Sequence, residues 1–284
     1  MIDLHMHSTF SDGTDRPEQL VDRARGLGLS AIALTDHDTV EGVPAFLDAA
    51  QKAQIKAFAG VEISVDADLP AGGHLHLLGL GIDLQNSILQ KTLQRFASVR
   101  ETRSEAMVSR LNLHGIEIGL DELRREVGEG VAGRPHVARL LVKKGVVGSI
   151  QEAFEQYLSK GKPGYVEKIR LGLKEATDLV HMAGGVAVIA HPQFLGFPDL
   201  KECRRYLGEA IAAGVDGWEA HYTGLTPEWT EGLVEEARLC GKIVTGGSDY
   251  HGSLIKDIAM GDGQVPDAVL GPLEQLLTIN KKNG

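Results

Sequence analysis

The chain has 284 residues, of which 43% are hydrophobic, 24% are charged and only two are cysteines, and its formal net charge is −10. An acidic chain with one large core is not expected to bind long nucleic acid, which needs a basic face, although bound cations would allow a small anionic substrate. Two cysteines are too few for a disulfide scaffold, which fits a reducing cytoplasm. No apolar stretch reaches the ~18 residues of a membrane span, and the N-terminus leaves no room for a signal peptide. We therefore expect a cytoplasmic protein without a membrane partner.

In the first part of the chain, apolar segments that predict strands alternate with amphipathic segments that predict helices. An apolar lead-in at 2–4 is followed by a helix over 17–27, a strand over 31–34, a helix over 43–53, a strand ending near Glu62 and a strand over 75–82. This alternation predicts a parallel sheet, either open or closed into a barrel.

From about residue 84 to residue 161 the periodicity becomes mainly helical. The predicted helices cover 89–114, 120–127, 135–144 and 150–159, with glycine-rich stretches between them. We interpret residues 85–164 as a helical subdomain inserted into an α/β domain that is formed by residues 1–84 and 165–284.

The alternation then resumes to the end of the chain. Helices are predicted over 173–183, before residue 215, over 228–239 and over 270–277, and strands over 186–190, 215–220 and 243–245. The total of roughly seven strands favours a barrel over an open sheet. In such barrels, functional residues gather at the carboxyl ends of the strands.

Histidines and carboxylates recur near the ends of these predicted strands. They are His5, His7, Asp12, Asp36, His37, Glu62, His76, His191, Glu219, His221, Asp249 and His251. A lone histidine is more often a surface or core residue than a ligand. The recurrence of imidazoles and carboxylates at one end of one barrel instead predicts a cluster of divalent metal ions.

Six motifs in this order make the chain similar to the polymerase-and-histidinol-phosphatase (PHP) family. They are HMHSTFSDG at 5–13, LTDHD at 34–38, GVEIS at 60–64, HLLG at 76–79, AHP at 190–192 and GSDYH at 247–251. The resemblance implies an α/β fold, a distorted (β/α)7 barrel with an inserted helical subdomain, and a centre of two or three divalent metal ions. The most similar subgroup hydrolyses nucleoside 3′,5′-bisphosphates or trims short 5′-phosphorylated RNAs.

The resemblance also implies the ligands of each metal ion, position by position. The first ion is assigned to His5, His7, Glu62 and Asp249, the second to Asp12, His37 and His251, and the third to Glu62, His76 and His191. His37 is further expected to act in catalysis, whereas His74 lies outside the family pattern and is expected to be exposed. Family resemblance favours Mn²⁺, and the mixed ligands also suit Zn²⁺ or Fe²⁺.

Five other residues are candidates for the substrate and the leaving group. Arg134 and His136 match a segment of the insert that faces the metal centre in the family, and a guanidinium suits phosphate oxygens. Lys162 and Tyr165 match the same subgroup and are candidates to reach the pocket. His221 is either a proton donor to the leaving group or a packed or exposed structural histidine.

One departure from the family concerns the residues after the Ala-His-Pro motif. Relatives that act on bisphosphates often carry an arginine two residues after this proline, where the present chain has Phe194. We expect a small phosphorylated nucleotide or sugar phosphate as substrate, with the 3′-phosphate of a nucleoside 3′,5′-bisphosphate as the first hypothesis. The alternatives are a phosphodiesterase for a cyclic ribose phosphate or short RNA, an inactive module that binds a partner, and a histidinol phosphatase, which the insert disfavours.

Overall fold

Eight strands form one mixed sheet in a computed structural model that describes residues 1–128, 130, 132–255 and 257–283. They are β1 (Ile2–Asp3), β2 (Ala31–Leu34), β3 (Lys56–Asp66), β4 (Leu75–Leu80), β5 (Leu171–Gly172), β6 (Val186–Ile189), β7 (Gly217–Tyr222) and β8 (Ile243–Gly247). Seven strands follow one another in the order β1-β2-β3-β4-β6-β7-β8, and β5 pairs with the end of β3.

The two outer strands of this order also meet, which nearly closes the sheet into a barrel. The amide of Leu4 donates to the carbonyl of Gly246 over 3.2 Å, and the amide of Asp249 donates to the carbonyl of His5 over 2.9 Å. Met6 forms a parallel bridge with Tyr250. The prediction of a distorted seven-stranded α/β barrel is therefore confirmed, with the short β5 as an addition.

One strand runs against the others. β4 pairs in antiparallel fashion with β3 and β6, whereas the other pairings of the sheet are parallel. The prediction of an all-parallel sheet was wrong here because β3 continues to Asp66 and only residues 67–74 connect it to β4. A connection of this length makes a hairpin and not a crossover. The reversal places His76, near the start of β4, at the edge where the neighbouring strands end.

The helices surround the barrel and occupy the segment between β4 and β5. They are α1 (Pro17–Gly26), α2 (Val43–Ala53), α3 (Ser87–Leu113), α4 (Leu120–Val127), α5 (Arg134–Lys143), α6 (Ile150–Ala153), α7 (Leu173–Met182), α8 (Leu200–Ala210), α9 (Pro227–Cys240) and α10 (Leu270–Asn283). The helix predicted over 150–159 divides into α6 and one π-helical turn over Phe154–Leu158. No described helix is long and apolar enough to cross a membrane.

Residues between Met107 and Leu158 form a hydrophobic cluster that is separate from the three clusters around the sheet. Its members include Met107, Val108, Leu111, Ile118, Leu123, Val137, Leu141 and Leu158. The first turns of α3 pack elsewhere, because Leu89, Leu93 and Phe96 belong to the barrel cluster that contains Leu179. We propose that residues 85–164 form a subdomain on a barrel of residues 1–84 and 165–284, with α3 anchored in both.

This division predicts that the insert can be destabilised alone. Leu141 is buried in the insert cluster, so Leu141→Ala should lower the stability of the insert by about 2–5 kcal/mol. Both tryptophans of the chain, Trp218 and Trp229, lie in barrel elements. We expect the urea midpoint of far-ultraviolet circular dichroism to fall while the midpoint of tryptophan fluorescence stays in place.

The exposed Leu113 at the end of α3 supplies the control for this experiment. Leu113→Ala should leave both urea midpoints in place, because a substitution at an exposed site changes the free energy of unfolding by less than ~0.5 kcal/mol. Equal shifts of both signals in Leu141→Ala would show one cooperative unit and would remove the proposed division.

Candidate metal centre

The candidate ligands lie at one edge of the barrel, as the strand order requires. His5 and His7 extend β1 and lie two residues apart, so both side chains point into the barrel mouth. His37 follows β2 and forms a parallel bridge with Glu62 of β3. His76 joins them because β4 runs in the opposite direction.

Ligand atoms from these side chains form four groups whose members lie within 4.8 Å of one another. The groups are His5, His7, Glu62 and Asp249; His7, Asp12, His37 and His251; His37, Glu62 and His76; and His74, His76 and His191. The first group contains the same residues as the first predicted ligand set. The second contains the second set with His7 added. In the third set, His191 lies close to Glu62, with 3.0 Å between Nε2 and Oε1.

Glu62 lies at the middle of this arrangement and is 1% exposed. Its Oε1 is 2.8 Å from Nδ1 of His76, and its Oε2 is 2.8 Å from Nδ1 of His37 and 3.2 Å from Nε2 of His7. The two oxygens face different imidazoles, and Glu62 belongs to two of the four groups, so it would contribute to more than one ion site.

Buried atoms that make no well-aligned hydrogen bond test whether the cluster fits metal ions, and they include the close pair of Glu62 Oε2 and His37 Nδ1. Of eleven such side-chain atoms among the described residues, seven belong to it. They are His5 Nε2, His7 Nε2, Asp12 Oδ1, His37 Nδ1, Glu62 Oε2, His191 Nδ1 and Asp249 Oδ1. Each unpaired buried group costs about 1–3 kcal/mol. Coordination of divalent ions would satisfy most of these nitrogen and oxygen atoms, so the residues fit the implied metals.

The electrostatics of the cluster also favour cations. Burial alone would lower the pKa of His7, but the carboxylates of Asp249 and Glu62 outweigh burial and raise this pKa to about 10. Burial alone would raise the pKa of Glu62, but imidazoles led by that of His37 hold it well below its usual range. The carboxylates therefore remain ionised, and their charge attracts divalent cations.

A second layer of polar side chains orients the candidate ligands. Both oxygens of the buried Glu219 lie 3.2 Å from Nδ1 of His5, and Oε2 accepts the backbone N–H of His191 at 2.7 Å. The hydroxyl of Tyr222 donates to Oδ2 of Asp249 at 2.7 Å. Partners of this kind fix the orientation of a metal-bound imidazole or carboxylate.

Two more buried carboxylates hold the loops that carry the ligands. Asp36 accepts the amide and the hydroxyl of Ser8 at 2.7 Å and 2.6 Å. Asp3 accepts the amide and the hydroxyl of Ser248 at 2.9 Å and 2.6 Å. Sequence reasoning placed Asp36 and Glu219 at strand ends but assigned them no role, and it missed Asp3 and Tyr222.

Backbone strain is concentrated at the same place. Five non-glycine residues have a positive φ among the described residues, and three of them lie at the centre: Asp38 at 54°, His191 at 31° and Asp249 at 58°. Such conformations cost about 1–3 kcal/mol each and persist where the surroundings impose them. The centre is therefore held in shape at a cost to folding stability.

A cationic cavity of about 160 Å³ lies between the metal centre and the insert. Its lining includes Asp12, His37, His76, Arg100, Arg103, Arg134, His136 and Lys168. Arg134 and His136 were predicted for this position. Arg100 and Arg103 were missed, because arginines three residues apart on α3 look like an ordinary solvated helix face, and Lys168 was missed because it lies in none of the family motifs.

Three predicted residues lie outside this cavity. Lys162 is exposed, and Tyr165 is half-buried but absent from the lining. A β-bulge between Glu219 and His221 shifts the alternation of β7, so Tyr222 and not His221 faces the metal centre. The structure therefore does not bring Lys162, Tyr165 or His221 to the cluster. His74 is exposed, as expected, although its ring belongs to a group with His76 and His191.

Residues 3–171 match the model of the PHP domain family. The chain belongs to the PHP family. Among curated proteins it is 34% identical to a 5′-3′ exoribonuclease of Haemophilus influenzae, over 88% of this chain and 89% of that protein. It is 35% identical to a 3′,5′-nucleoside bisphosphate phosphatase of Chromobacterium violaceum, over 88% of this chain and 87% of that protein. It is 30% identical to a phosphoribosyl 1,2-cyclic phosphate 1,2-diphosphodiesterase of Eggerthella lenta, over 88% of this chain and 94% of that protein.

A solved structure supports the same relationship. The crystal structure of a protein of Bifidobacterium adolescentis, assigned as a metal-dependent phosphoesterase, superposes with a TM-score of 0.85. The two chains are 31% identical, and the match covers 97% of this chain and 96% of that one. Family, relatives and fold agree that the chain is a metal-dependent phosphoric ester hydrolase, so the alternative of an inactive module is not retained.

Removal of a shared ligand should abolish hydrolysis. His7 belongs to two of the four groups, so His7→Ala should lose both bound metal and release of phosphate from p-nitrophenyl phosphate, with an unchanged circular dichroism spectrum. Metal content by mass spectrometry and phosphate release measure the two effects. The exposed His114 provides a matched control, since His114→Ala should behave as wild type. Full metal content with full activity in His7→Ala would contradict the site.

The role of Glu219 predicts a loss of metal affinity without a change in fold. Glu219→Gln keeps the shape of the side chain but weakens its hold on His5, so the dissociation constant for Mn²⁺ should rise by about 10–100-fold. Calorimetric titration of the metal-free protein measures this constant. Glu231→Gln, on the exposed side of α9, should leave it unchanged. An equal affinity in both variants would leave Glu219 without the proposed role.

Proposed function

We propose that this enzyme removes the 3′-phosphate of nucleoside 3′,5′-bisphosphates and releases the nucleoside 5′-monophosphate and phosphate. The observation that carries the proposal is the cationic cavity directly beside the metal centre. A bisphosphate has one phosphate to be hydrolysed and a second one to be held. The metal centre and the cavity offer one binding place for each.

Of the lysine and arginine side chains that line the cavity, two contact a carboxylate and two do not. Lys168 lies 2.6 Å from Oδ2 of Asp38, and Arg100 contacts the same oxygen, so one carboxylate partly compensates both cations. Arg103 and Arg134 have no carboxylate partner among the described residues within ion-pair distance. Burial, with the nearby cations Arg134 and Arg100, lowers the pKa of Arg103 to about 10. An anionic phosphate would relieve this crowding of positive charge.

Neighbouring groups prepare Arg134 and His136 for an anion. The guanidinium of Arg134 lies over the ring of Phe154, 5.4 Å from its centroid, which restrains the side chain. Nδ1 of His136 accepts the backbone N–H of Gly133 at 3.1 Å, and burial lowers the pKa of this histidine to about 4. The ring is therefore neutral with its proton on Nε2, which can donate a hydrogen bond to a phosphate oxygen.

The proposed metal ligands are the nine residues that the family resemblance indicates. They are His5, His7, Asp12, His37, Glu62, His76, His191, Asp249 and His251. Bound divalent ions, with Mn²⁺ as our proposal, would activate water and neutralise phosphoryl oxygens. His37 belongs to two of the candidate metal groups and also lines the cavity, so it lies between the proposed places of the scissile phosphate and of the held phosphate, which supports its proposed part in catalysis.

Hydrolysis of a phosphodiester is the second candidate function. The exoribonuclease and the cyclic phosphate diphosphodiesterase match this chain at 34% and 30% identity, against 35% for the bisphosphate phosphatase. By the family resemblance, Phe194 also stands where many bisphosphate-acting relatives are expected to carry an arginine. The same metal centre serves both reactions, so only the substrate contacts distinguish them.

A substrate panel distinguishes the two candidates. The Mn²⁺-loaded enzyme is assayed with adenosine 3′,5′-bisphosphate, ribose 1,2-cyclic phosphate 5-phosphate and a 5′-phosphorylated tetranucleotide, and products are separated by chromatography. We expect AMP and phosphate from the bisphosphate at the highest kcat/KM. Turnover of a diester alone would replace the phosphatase proposal with the second candidate.

Replacement of Arg134, one of the two cavity arginines without a carboxylate partner among the described residues, should weaken substrate binding. Arg134→Ala removes a charged hydrogen-bond donor worth about 1.5–3 kcal/mol, so KM for adenosine 3′,5′-bisphosphate should rise by about 10–150-fold with a smaller change in kcat. Arg134→Lys should recover part of the loss. Arg205→Ala, on the surface of α8, is the control and should keep the wild-type KM. An unchanged KM in Arg134→Ala would remove this arginine from the substrate site.

A further inference from the structure

An exposed aromatic surface lies beside the metal centre and outside the cationic cavity. Phe194 follows His191 in a short 3₁₀ turn, and its side chain is 42% exposed. Its ring stacks on that of His74, with centroids 5.5 Å apart and planes inclined by 19°. Tyr222 meets the ring edge-on at 5.8 Å. Aromatic groups therefore support Phe194 on two sides, while much of the ring remains open to solvent.

The backbone holds the two stacked rings in a fixed relation. The amide of His74 donates to the carbonyl of Phe194 at 3.0 Å. Gly73 packs so tightly on this turn that a Cβ there would lie 2.2 Å from the carbonyl oxygen of Leu195. Gly196, which ends the turn, has a φ of 83° and contacts Gly73. The loop before β4 and the turn after β6 are thus joined before any ligand arrives, which lowers the entropic cost of binding.

We propose that Phe194 and His74 form a stacking platform for the base of a nucleotide bound at the metal centre and the neighbouring cavity. This inference rests on the proposed function and names the part of the substrate that the enzyme selects. A nucleotide carries its phosphate and its base on one sugar, so a base-binding surface must lie beside the metal ligands and not among them. Phe194 meets this condition, because its ring centroid is 5.4 Å from that of the candidate ligand His191.

The platform favours nucleotides over base-free sugar phosphates. Aromatic side chains stack on every base, since each base has a π-face, and they leave its hydrogen-bonding edges unread. The enzyme therefore discriminates the presence of a base more than its identity. An arginine at the position of Phe194 would offer a positive charge to a second phosphate. The phenyl ring instead offers an uncharged face on which a base can stack.

Equilibrium binding of a nucleotide and of its base-free counterpart tests the platform. Dissociation constants of AMP and ribose 5-phosphate are measured by calorimetry for the Mn²⁺-loaded wild type, Phe194→Ala and Phe194→Trp. We expect the wild type to prefer AMP and Phe194→Ala to reduce this preference by about 5–150-fold, the loss found when a stacking aromatic residue is replaced by alanine. Phe194→Trp should retain the preference.

The control variant is Ile279→Ala, which truncates a side chain of similar exposure (45%) on α10. That helix packs near Gly185, at the opposite end of β6, so the preference for AMP should not change. Equal affinity of the wild type for both ligands, or an undiminished preference in Phe194→Ala, would overturn the platform even if the bisphosphate is hydrolysed. A lost preference in Phe194→Ala without hydrolysis of the bisphosphate would support the platform and remove only the proposed reaction.

Discussion

The carboxylate of Glu62 imposes the constraint on which the rest of the centre depends. It is buried among imidazoles from four parts of the chain, and its low pKa keeps it charged where water cannot solvate it. A buried charge of this kind must be neutralised by partners held at short distance. Six strands therefore bring their candidate ligands to one edge, and Asp3, Asp36 and Glu219 hold the backbone and side chains that surround it.

The convergence of the candidate ligands could be predicted from local spacing because these residues are attached to strands. His5 and His7 share a face by the two-residue period, and Asp249 and His251 follow a strand that ends at the same edge. All nine predicted ligands are members of the four groups. Their role as ligands stays a prediction, but their convergence required only strand order and period.

The features that could not be predicted depend on longer-range geometry. The direction of β4 is set by the length of its connection to β3, and the position of His221 by a single bulge in β7. Arg100 and Arg103 carry no local motif, and they become part of a cavity only because α3 crosses from the barrel to the insert. Periodicity describes one element at a time, so it does not report where two elements meet.

The origin of the two sets of side chains has an evolutionary consequence. Every proposed metal ligand comes from the barrel, whereas Arg100, Arg103, Arg134 and His136 come from α3 and α5 of the insert. Mutations in residues 85–164 can therefore alter which phosphorylated molecule is accepted while the reactive centre is inherited intact. Substitutions in α3 and α5 therefore reach contacts of the substrate without replacing any proposed metal ligand.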